Sequence, residues 1–338
     1  MSKEPLLTIA IPTYNGSRTI RQMLDVLLPQ ITEEVEVFVS DNCSTDGTPQ
    51  IIKEYQEQYP FLGYSRNEKN LQADGNFLKC MRQASGKFTM LISDDDVIVE
   101  GAVQKIISFL KKNPQVSLAF LETVGFRDTY QDIAHCHRYT VQMKQLGNSR
   151  TTTDKKIFFD YVRRQWGFTS SFLWNTERCK AINNPEQYFN TYWLQSYIHI
   201  QCSDKSSDIL GMIAGPIIAA GEYGIIGNYD SAMVEAVKYK DMLDYAVDHA
   251  GYDQKQLEEY WVWKVCYLCK RAVIKEKCIG KHITSTDILF KKMKKYPYAW
   301  INLFPFLIVP TPVCQLALRV KRKRQGRNYT TYVNRPTE

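Results

Sequence analysis

The chain has 338 residues, 44% hydrophobic and 23% charged, with 43 Lys/Arg against 36 Asp/Glu and a formal net charge of +7; this composition supports a packed core and excludes disorder, collagen and coiled coil. Nine cysteines without framework spacing exclude a disulfide-stapled secreted scaffold and point to reduced thiols in a cytosolic setting. The charge is uneven: from Lys264 onward 17 Lys/Arg face only Glu276, Asp287 and Glu338, a net of +14, so the first 263 residues carry −7, which suggests that the two parts meet different partners.

Residues 6–11 are an apolar run ended by Pro12, too short for a signal peptide and read as a strand entering a core. Helical spacing follows over 17–28, a β-branched run over 35–40, and helical spacing again over 48–59. Strand signals at 61–66, 88–92 and 116–123 then alternate with helix signals at 75–84 and 101–112. Such alternation means βαβ units and predicts an α/β fold with a mostly parallel sheet covered by helices on both faces. Residues 125–153 read as a loop-like insertion, whose His135-Cys136-His137 is too small for a closed metal site. Thr169-Ser170-Ser171 leads into Phe-Leu-Trp174-Asn175, hydroxyls and aromatics suited to a sugar-contacting wall or, for the Trp, to core filling. Residues 190–199 look helical and put Tyr192, Gln195, Ser196 and His199 on neighbouring faces. Cys266-x-x-Cys269 has neither a second pair nor a nearby His, which argues against zinc.

The charge-free run 299–318 has enough apolar residues to span a bilayer, but Pro305, Pro310 and Pro312 break it. Lysines 291, 292, 294 and 295 precede it and Arg319, Lys321, Arg322, Lys323, Arg324 and Arg327 follow. Cations on both sides favour a broken segment lying in, or dipping into, the inner leaflet over anionic headgroups. The competing reading is a buried hairpin with a solvated basic tail.

In parallel sheets ligands bind beyond the carboxyl ends of the strands. Four such ends read Pro12-Thr13-Tyr14-Asn15-Gly16, Asp41-Asn-Cys-Ser-Thr-Asp46-Gly-Thr48, Asn67-Glu-Lys-Asn70 and Ser93-Asp94-Asp95-Asp96. Three adjacent carboxylates stay ionised cheaply only beside a cation, and an all-oxygen set suits Mg²⁺ or Mn²⁺. The bland reading of the triplet is a solvated acidic turn. Asp46 and Thr48 read as helix caps, and the absence of alternating ligands rejects an EF-hand. Neither a Walker loop nor Gly-x-Gly-x-x-Gly occurs, which removes the main support for kinase, GTPase and dinucleotide readings.

Ile-Ala-Ile-Pro-Thr-Tyr-Asn (9–15), Val-Phe-Val-Ser-Asp-Asn-Cys-Ser-Thr-Asp-Gly-Thr (37–48) and Leu-Ile-Ser-Asp-Asp-Asp (91–96), in this order, closely resemble family 2 glycosyltransferases of the GT-A fold. More narrowly, the chain resembles the abequosyltransferase-like bacterial members that build surface polysaccharides. The resemblance covers about residues 5–125, weakens over 126–225 and carries no motif beyond. It implies a catalytic domain over 1–225, with a nucleotide-sugar half (1–125) and an acceptor half (126–225). A helical extension (226–296) and an apolar, basic, membrane-associated tail (297–338) would follow.

The resemblance also implies roles. Pro12, Thr13, Tyr14 and Asn15 would line the nucleotide pocket, Asp41 would accept a hydrogen bond from the base imide, favouring UDP or dTDP, and Asn70 and Asn76 would reach the nucleoside. Asp94 and Asp96 form the literal metal motif, whereas alignment on the strand puts Ser93 at its first position and makes Asp95 the main ligand of Mn²⁺ or Mg²⁺; Ser93 and Asp94 are counted with the donor contacts. The expected reaction is a single displacement with inversion from a nucleoside-diphosphate sugar to a hydroxyl of a lipid-linked or polymer glycan, at the cytoplasmic face of the membrane. The family's usual carboxylate base is missing from 190–199, so His199 is read as base or third metal ligand, with Asp204 and then Asp208 as substitutes.

Two other readings stand beside this one. A nucleotidyltransferase acting on sugar phosphates also uses carboxylate-held Mg²⁺, but wants a Gly-rich basic loop after the first strand, where only Arg18 is found. A non-enzymatic membrane or nucleic-acid binder is the third; no basic stretch is interleaved with aromatics in the way nucleic acid requires.

Overall fold

The computed structural model describes residues 4–127, 129–136, 146–221, 230, 232–278 and 286–325. The chain divides into two compact units, Met1–Tyr223 with Asp248–Tyr252, and Gly224–Val247 with Asp253–Glu338.

The first unit begins with β1 (Leu7–Thr13), α1 (Ile20–Leu27), β2 (Val35–Asp41), α2 (Thr48–Gln58), β3 (Gly63–Arg66), α3 (Gln72–Gln83) and β4 (Phe88–Leu91). It continues through β5 (Val97–Ile98), α4 (Ala102–Lys112), β6 (Val116–Phe126), β7 (Arg150–Thr152), α5 (Lys155–Val162), β8 (Phe172–Asn175), α6 (Thr176–Lys180), α7 (Leu194–Gln201) and β9 (Ile209–Gly221). One sheet joins the strands in the order β3-β2-β1-β4-β8-β6-β9-β5, with β7 also on β9. The β3-β2-β1-β4 block is parallel, β6 and β9 run the same way, and β5, β7 and β8 run against them.

Burial on both faces of the sheet explains the near-continuous apolar strands. Leu7, Ile9 and Ile11 of β1, Val37 and Val39 of β2 and Phe88 and Met90 of β4 point into one core, shared with Ile20, Met23, Leu24 and Leu27 of α1 and Ile106 and Leu110 of α4. The alternate residues Ala10, Phe38 and Leu91 are equally buried, as are Leu78, Cys80 and Met81 of α3, which packs on β1, β2 and β4. The expected α/β architecture with helices on both faces is therefore the one observed.

Details differ from the sequence expectation. The third strand begins only at Gly63, and the helix expected at 190–199 starts at Leu194 because Asn190 and Tyr192 take left-handed backbone angles (φ 61° and 68°). The thirteen-residue β9 pairs with β6 over Ile209–Ile213 and again over Ile218–Gly221, and carries Gly215-Pro216 within the register shift opposite Glu122. A strand interrupted this way is hard to read, since Pro cannot donate to a ladder and is tolerated at a bulge.

The second unit is helical, with α8 (Tyr239–Ala250) as far as Val247, α9 (Gln254–Lys264), α10 (Lys270–Cys278), α11 (Thr286–Met293), α12 (Pro297–Asn302), α13 (Phe304–Ile308) and α14 (Thr311–Gln325). Within it a buried Lys264 pairs with Glu235 at 2.5 Å and lies over the Tyr239 ring. Burial pushes the Cys266 thiol up to about 11. No single helix among the described residues is long and apolar enough to cross a membrane; α12–α13 and the start of α14 reach that apolarity only as a pair bent by 93°.

Candidate active site

The sheet order places a topological switch between β1 and β4, since the chain leaves β1 toward β2 and β3 and returns on β1's other side. There the loops after β1 and β4 meet. Thr13, buried at the last rung of β1, donates its hydroxyl to Asp94 Oδ2. The approach requires glycine at 16, where a Cβ would lie 2.5 Å from Thr13 Oγ1 and closer still to Asp94 Oδ2. Tyr14, 46% exposed, and Asn15 stand at the rim. The Asn15 side-chain oxygen accepts from Thr45 N at 2.8 Å, and the Asn15 backbone N–H donates to Ser44 Oγ at 2.9 Å, so Asn15 stitches the first loop to the second. Pro12 is buried within β1.

Thr13, Asp41 and Arg66 share one rung of β1, β2 and β3. Asp41 is fully buried; its Oδ1 accepts from Ser44 N (2.9 Å), and its Oδ2 accepts from the Tyr64 hydroxyl (2.9 Å) and lies 3.3 Å from Arg66 Nε. Burial, then the hydrogen bond to Asp41, pushes the Tyr64 phenol up, so that it stays a donor. Tyr64 and Arg66 were not singled out from sequence; their signal is the register that puts position 66 beside Asp41.

Asn70 and Asn76 belong to an amide network behind this rung. Asn42 donates to Asn70 Oδ1 (2.9 Å) and accepts from Asn67 Nδ2 (3.0 Å), and Asn67 also donates to Asn76 Oδ1 (3.1 Å). Asn76 is buried and gives its remaining capacity to Ser40, accepting from its hydroxyl at 2.7 Å and donating to its carbonyl at 2.9 Å. That corrects its expected contact with the nucleoside: with its donors and acceptor turned inward it anchors α3 to β2. Asn70 is exposed, with its oxygen accepting from Asn42 and from Gln72 N.

The acidic triplet is split by its surroundings. Ser93, Asp94 and Asp95 are half-buried, whereas Asp96 is buried. Asp96 Oδ2 accepts from Ser170 Oγ (2.5 Å) and Oδ1 from Gly221 N (3.0 Å), while Ser170 Oγ accepts from Ser93 N (3.0 Å). Burial and then the Asp95 charge hold the Asp96 carboxyl well above its ordinary value. Asp96 is thereby corrected from metal ligand to internal strut. Among the described residues no group of three or more His, Cys, Asp or Glu is gathered to hold a metal. Asp94 and Asp95 nonetheless fit a hard cation of the kind that takes one or two carboxylates and completes its shell with phosphate oxygens and water.

The three residues expected as base lie elsewhere. His199 is 0% exposed, its ring 4.2 Å from that of Phe172 and 5.7 Å from that of Trp174, with Nδ1 3.3 Å from the Trp166 carbonyl. Burial pushes its pKa down to about 3; a sealed, neutral imidazole meets neither substrate nor metal, so both of its expected roles are corrected. Asp204 and Asp208 pair with Arg178 just after β8, whose Asn175 stands opposite Phe88 at the amino end of β4. They occupy the edge of the sheet away from the acidic loop. Ser170, Ser171 and Trp174 are fully buried, which corrects the sugar-contacting wall expected there. His137 lies outside the described residues.

Residues 8–176 match the family model described as glycosyl transferase family 2. The abequosyltransferase RfbV of Salmonella typhimurium is 24% identical over 220 residues, covering 63% of this chain and 66% of that protein. The chain spans between about a third and two thirds of the length of the curated relatives it matches. Among solved structures, Staphylococcus aureus TarS residues 1–349 in complex with UDP-GlcNAc aligns with a TM-score of 0.63 at 14% identity, over 96% of this chain and 93% of that one. The mannosyltransferase PcManGT of Pyrobaculum calidifontis, in complex with GDP-Man and Mn²⁺, aligns with a TM-score of 0.52 at 15% identity, over 93% and 88%. These likenesses show a shared GT-A fold.

Proposed function

The chain belongs to glycosyl transferase family 2, and from that premise we propose that it transfers a sugar from a nucleoside-diphosphate donor, UDP or dTDP in preference, to a hydroxyl of a lipid-linked or polymer glycan at the cytoplasmic face of the membrane. The observation that carries the reading is the meeting of Thr13 and Asp94 at the switch point, beside a second half-buried carboxylate and an exposed Tyr14 ring. An aromatic face at the rim suits stacking on a base. The Asp41 carboxylate is fully buried and already held by Ser44, Tyr64 and Arg66, so it would read an imide edge only by releasing one of these partners.

Asp94 and Asp95 would hold Mn²⁺ or Mg²⁺ together with the donor's phosphates, and the ion would offset charge on the departing diphosphate. The Thr13 hydroxyl orients Asp94, while Ser170 and Asp96 fix the loop that carries both carboxylates. In a single displacement the bond from sugar C1 to the diphosphate oxygen breaks as the acceptor oxygen bonds C1 from the opposite face, giving inversion. The acceptor's proton leaves to a base or to water.

The test is thermal shift and product release across UDP- and dTDP-sugars with Mn²⁺. One donor should stabilise the protein strongly, because it binds the native state alone. Asp95→Ala should abolish transfer without unfolding; full activity in EDTA would refute the metal-dependent reading.

A further inference from the structure

The apolar run after Lys295 ends in side chains that the second unit does not cover. Helices α12, α13 and α14 each set a few residues inward: Ala299, Leu303, Phe304 and Cys314 are buried. Their outer sides carry Trp300, Ile301 (76% exposed), Ile308 (80%), Val313, Leu316 (61%) and Val320. In α14 the exposed residues 313, 316 and 320 follow the i, i+3, i+7 spacing of one helical stripe. The four most exposed large aliphatic residues among the described ones, Ile301, Ile308, Val313 and Leu316, fall within 16 consecutive positions, and clustered exposed apolar side chains mark a partner.

We infer that α12–α14 form an in-plane docking face for an anionic lipid bilayer, which rests on the proposed membrane-side transfer and gives it a physical surface. Charge selects this occupant. Residues 288–337 contain eleven Lys/Arg and no Asp or Glu, and among them Lys291 and Lys294, before the apolar run, and Arg319, at its end, are exposed. Cations near an anionic leaflet strengthen attachment by about fivefold each. Trp300 shows the amphipathic habit of an interfacial residue, half-exposed with its indole N–H donating to the Lys294 carbonyl at 2.9 Å.

The geometry favours lying on the membrane over crossing it. The segment Pro297–Ile308 that holds α12 and α13 would span roughly 18 Å at the helical rise, against about 30 Å of hydrocarbon. The chain then bends by 93° before α14. Lys277 Nζ caps the break, donating to the carbonyls of Leu307 and of Val309 (3.0 Å), groups that a helix end leaves without partners. A cation there holds the bend in place.

Vesicle cosedimentation of the full chain tests this. Binding to phosphatidylcholine vesicles should rise at least about tenfold when phosphatidylglycerol is included and fall with salt. Ile301→Glu with Leu316→Glu should abolish it while leaving the melting temperature and UDP-sugar turnover unchanged, because both side chains face outward. Lys291→Gln with Lys294→Gln should weaken it roughly thirtyfold. Equal binding by wild type and the glutamate variant, or no binding by wild type, overturns the inference. So does self-association without lipid that the glutamate variant abolishes, which would assign the face to a second copy. Asp95→Ala should still bind vesicles, so retained binding with no transferase activity in the wild type would sink the catalytic reading alone.

Discussion

Gly16→Ala isolates the contact between the first and fourth loops. The added Cβ would stand 2.5 Å from Thr13 Oγ1, where ordinary contact begins at 3.4 Å, and nearer still to Asp94 Oδ2. Gly16 has no left-handed φ, so alanine strains no backbone angle, and the Gly16 carbonyl would still accept from Thr19 N and Ile20 N at 3.0 Å. Both obstructing atoms end short side chains that can rotate away. The cost to folding is therefore the Thr13–Asp94 hydrogen bond, about 1.5–3 kcal/mol for a charged acceptor, less about 0.4–1 kcal/mol regained from the stiffer unfolded chain. Net destabilisation of about 0.5–2.6 kcal/mol should lower the melting temperature by a few degrees. Activity should suffer far more, because moving a substrate-positioning carboxylate by about an ångström costs on the order of 100-fold. Initial rates of sugar transfer against Mn²⁺ concentration, beside thermal melts, measure both. Transfer within about twofold of wild type at an unchanged Mn²⁺ requirement would refute the assigned role of this contact.

Three further substitutions probe the surrounding scaffold. Ser170→Ala removes the hydroxyl that joins Ser93 N to Asp96 and should cost about 2–4 kcal/mol while raising the Mn²⁺ needed for half-maximal activity; a fall in stability with no change in Mn²⁺ dependence would make Ser170 a core residue only. Tyr64→Phe leaves Asp41 with Ser44 and Arg66 and should cost about 1.5–3 kcal/mol in urea unfolding and raise the donor KM. His199→Phe should keep the pH–rate profile between pH 6 and 8, and an altered limb would return His199 to the chemistry. The imidazole also sets a stability trend: its folded pKa, about 3, lies below the unfolded value of 6.5, so the unfolded state binds the proton first. Its contribution is complete above pH 6.5 and is lost at about 1.4 kcal/mol per pH unit as pH falls toward 3; wild type should lose more stability than His199→Phe between pH 6 and pH 4.

The parallel half of the sheet was legible because β1, β2 and β4 are apolar runs bounded by turn residues and each helix has its own period. Those are local signals, and they located the loops after β1, β2, β3 and β4 within a residue or two. What the local signals could not supply was pairing across long separations. Position 96 meets Ser170 and Gly221, 74 and 125 residues away. Position 41 meets Tyr64 and Arg66 only once β3 has its register. The same deficit misread residues 169–175: hydroxyls and aromatics suit a sugar and suit a core equally well, and only burial of Ser170, Ser171 and Trp174 decides between them. His199 failed for a related reason. Its helix is short and almost wholly buried, so period alone could not say which face met solvent.

That partition changes the electrostatics of the site. Read as a motif, Asp94-Asp95-Asp96 is three ligands and three negative charges aimed at one ion and one diphosphate, in a region that is already acidic overall. The fold withdraws the third: Asp96 is capped by Ser170 Oγ and Gly221 N, and burial with the Asp95 charge disfavours its ionised form. Two half-buried carboxylates remain, one of them already oriented by Thr13. Were a divalent ion held there as proposed, two carboxylates would balance its charge and a donor diphosphate would complete its shell without competing with a third carboxylate. The strut ties the acidic loop to β9 and the turn before β8, and under the proposed reaction it would also lower the negative charge facing the donor. A serine at 96 could preserve the first only by finding new partners for Ser170 and Gly221. An asparagine could preserve both, because its carbonyl can accept from one of them while it carries no charge. Asp96→Asn should therefore keep substantial transfer where Asp95→Ala keeps none, and equal loss in the two variants, with both folded, would return Asp96 to the metal.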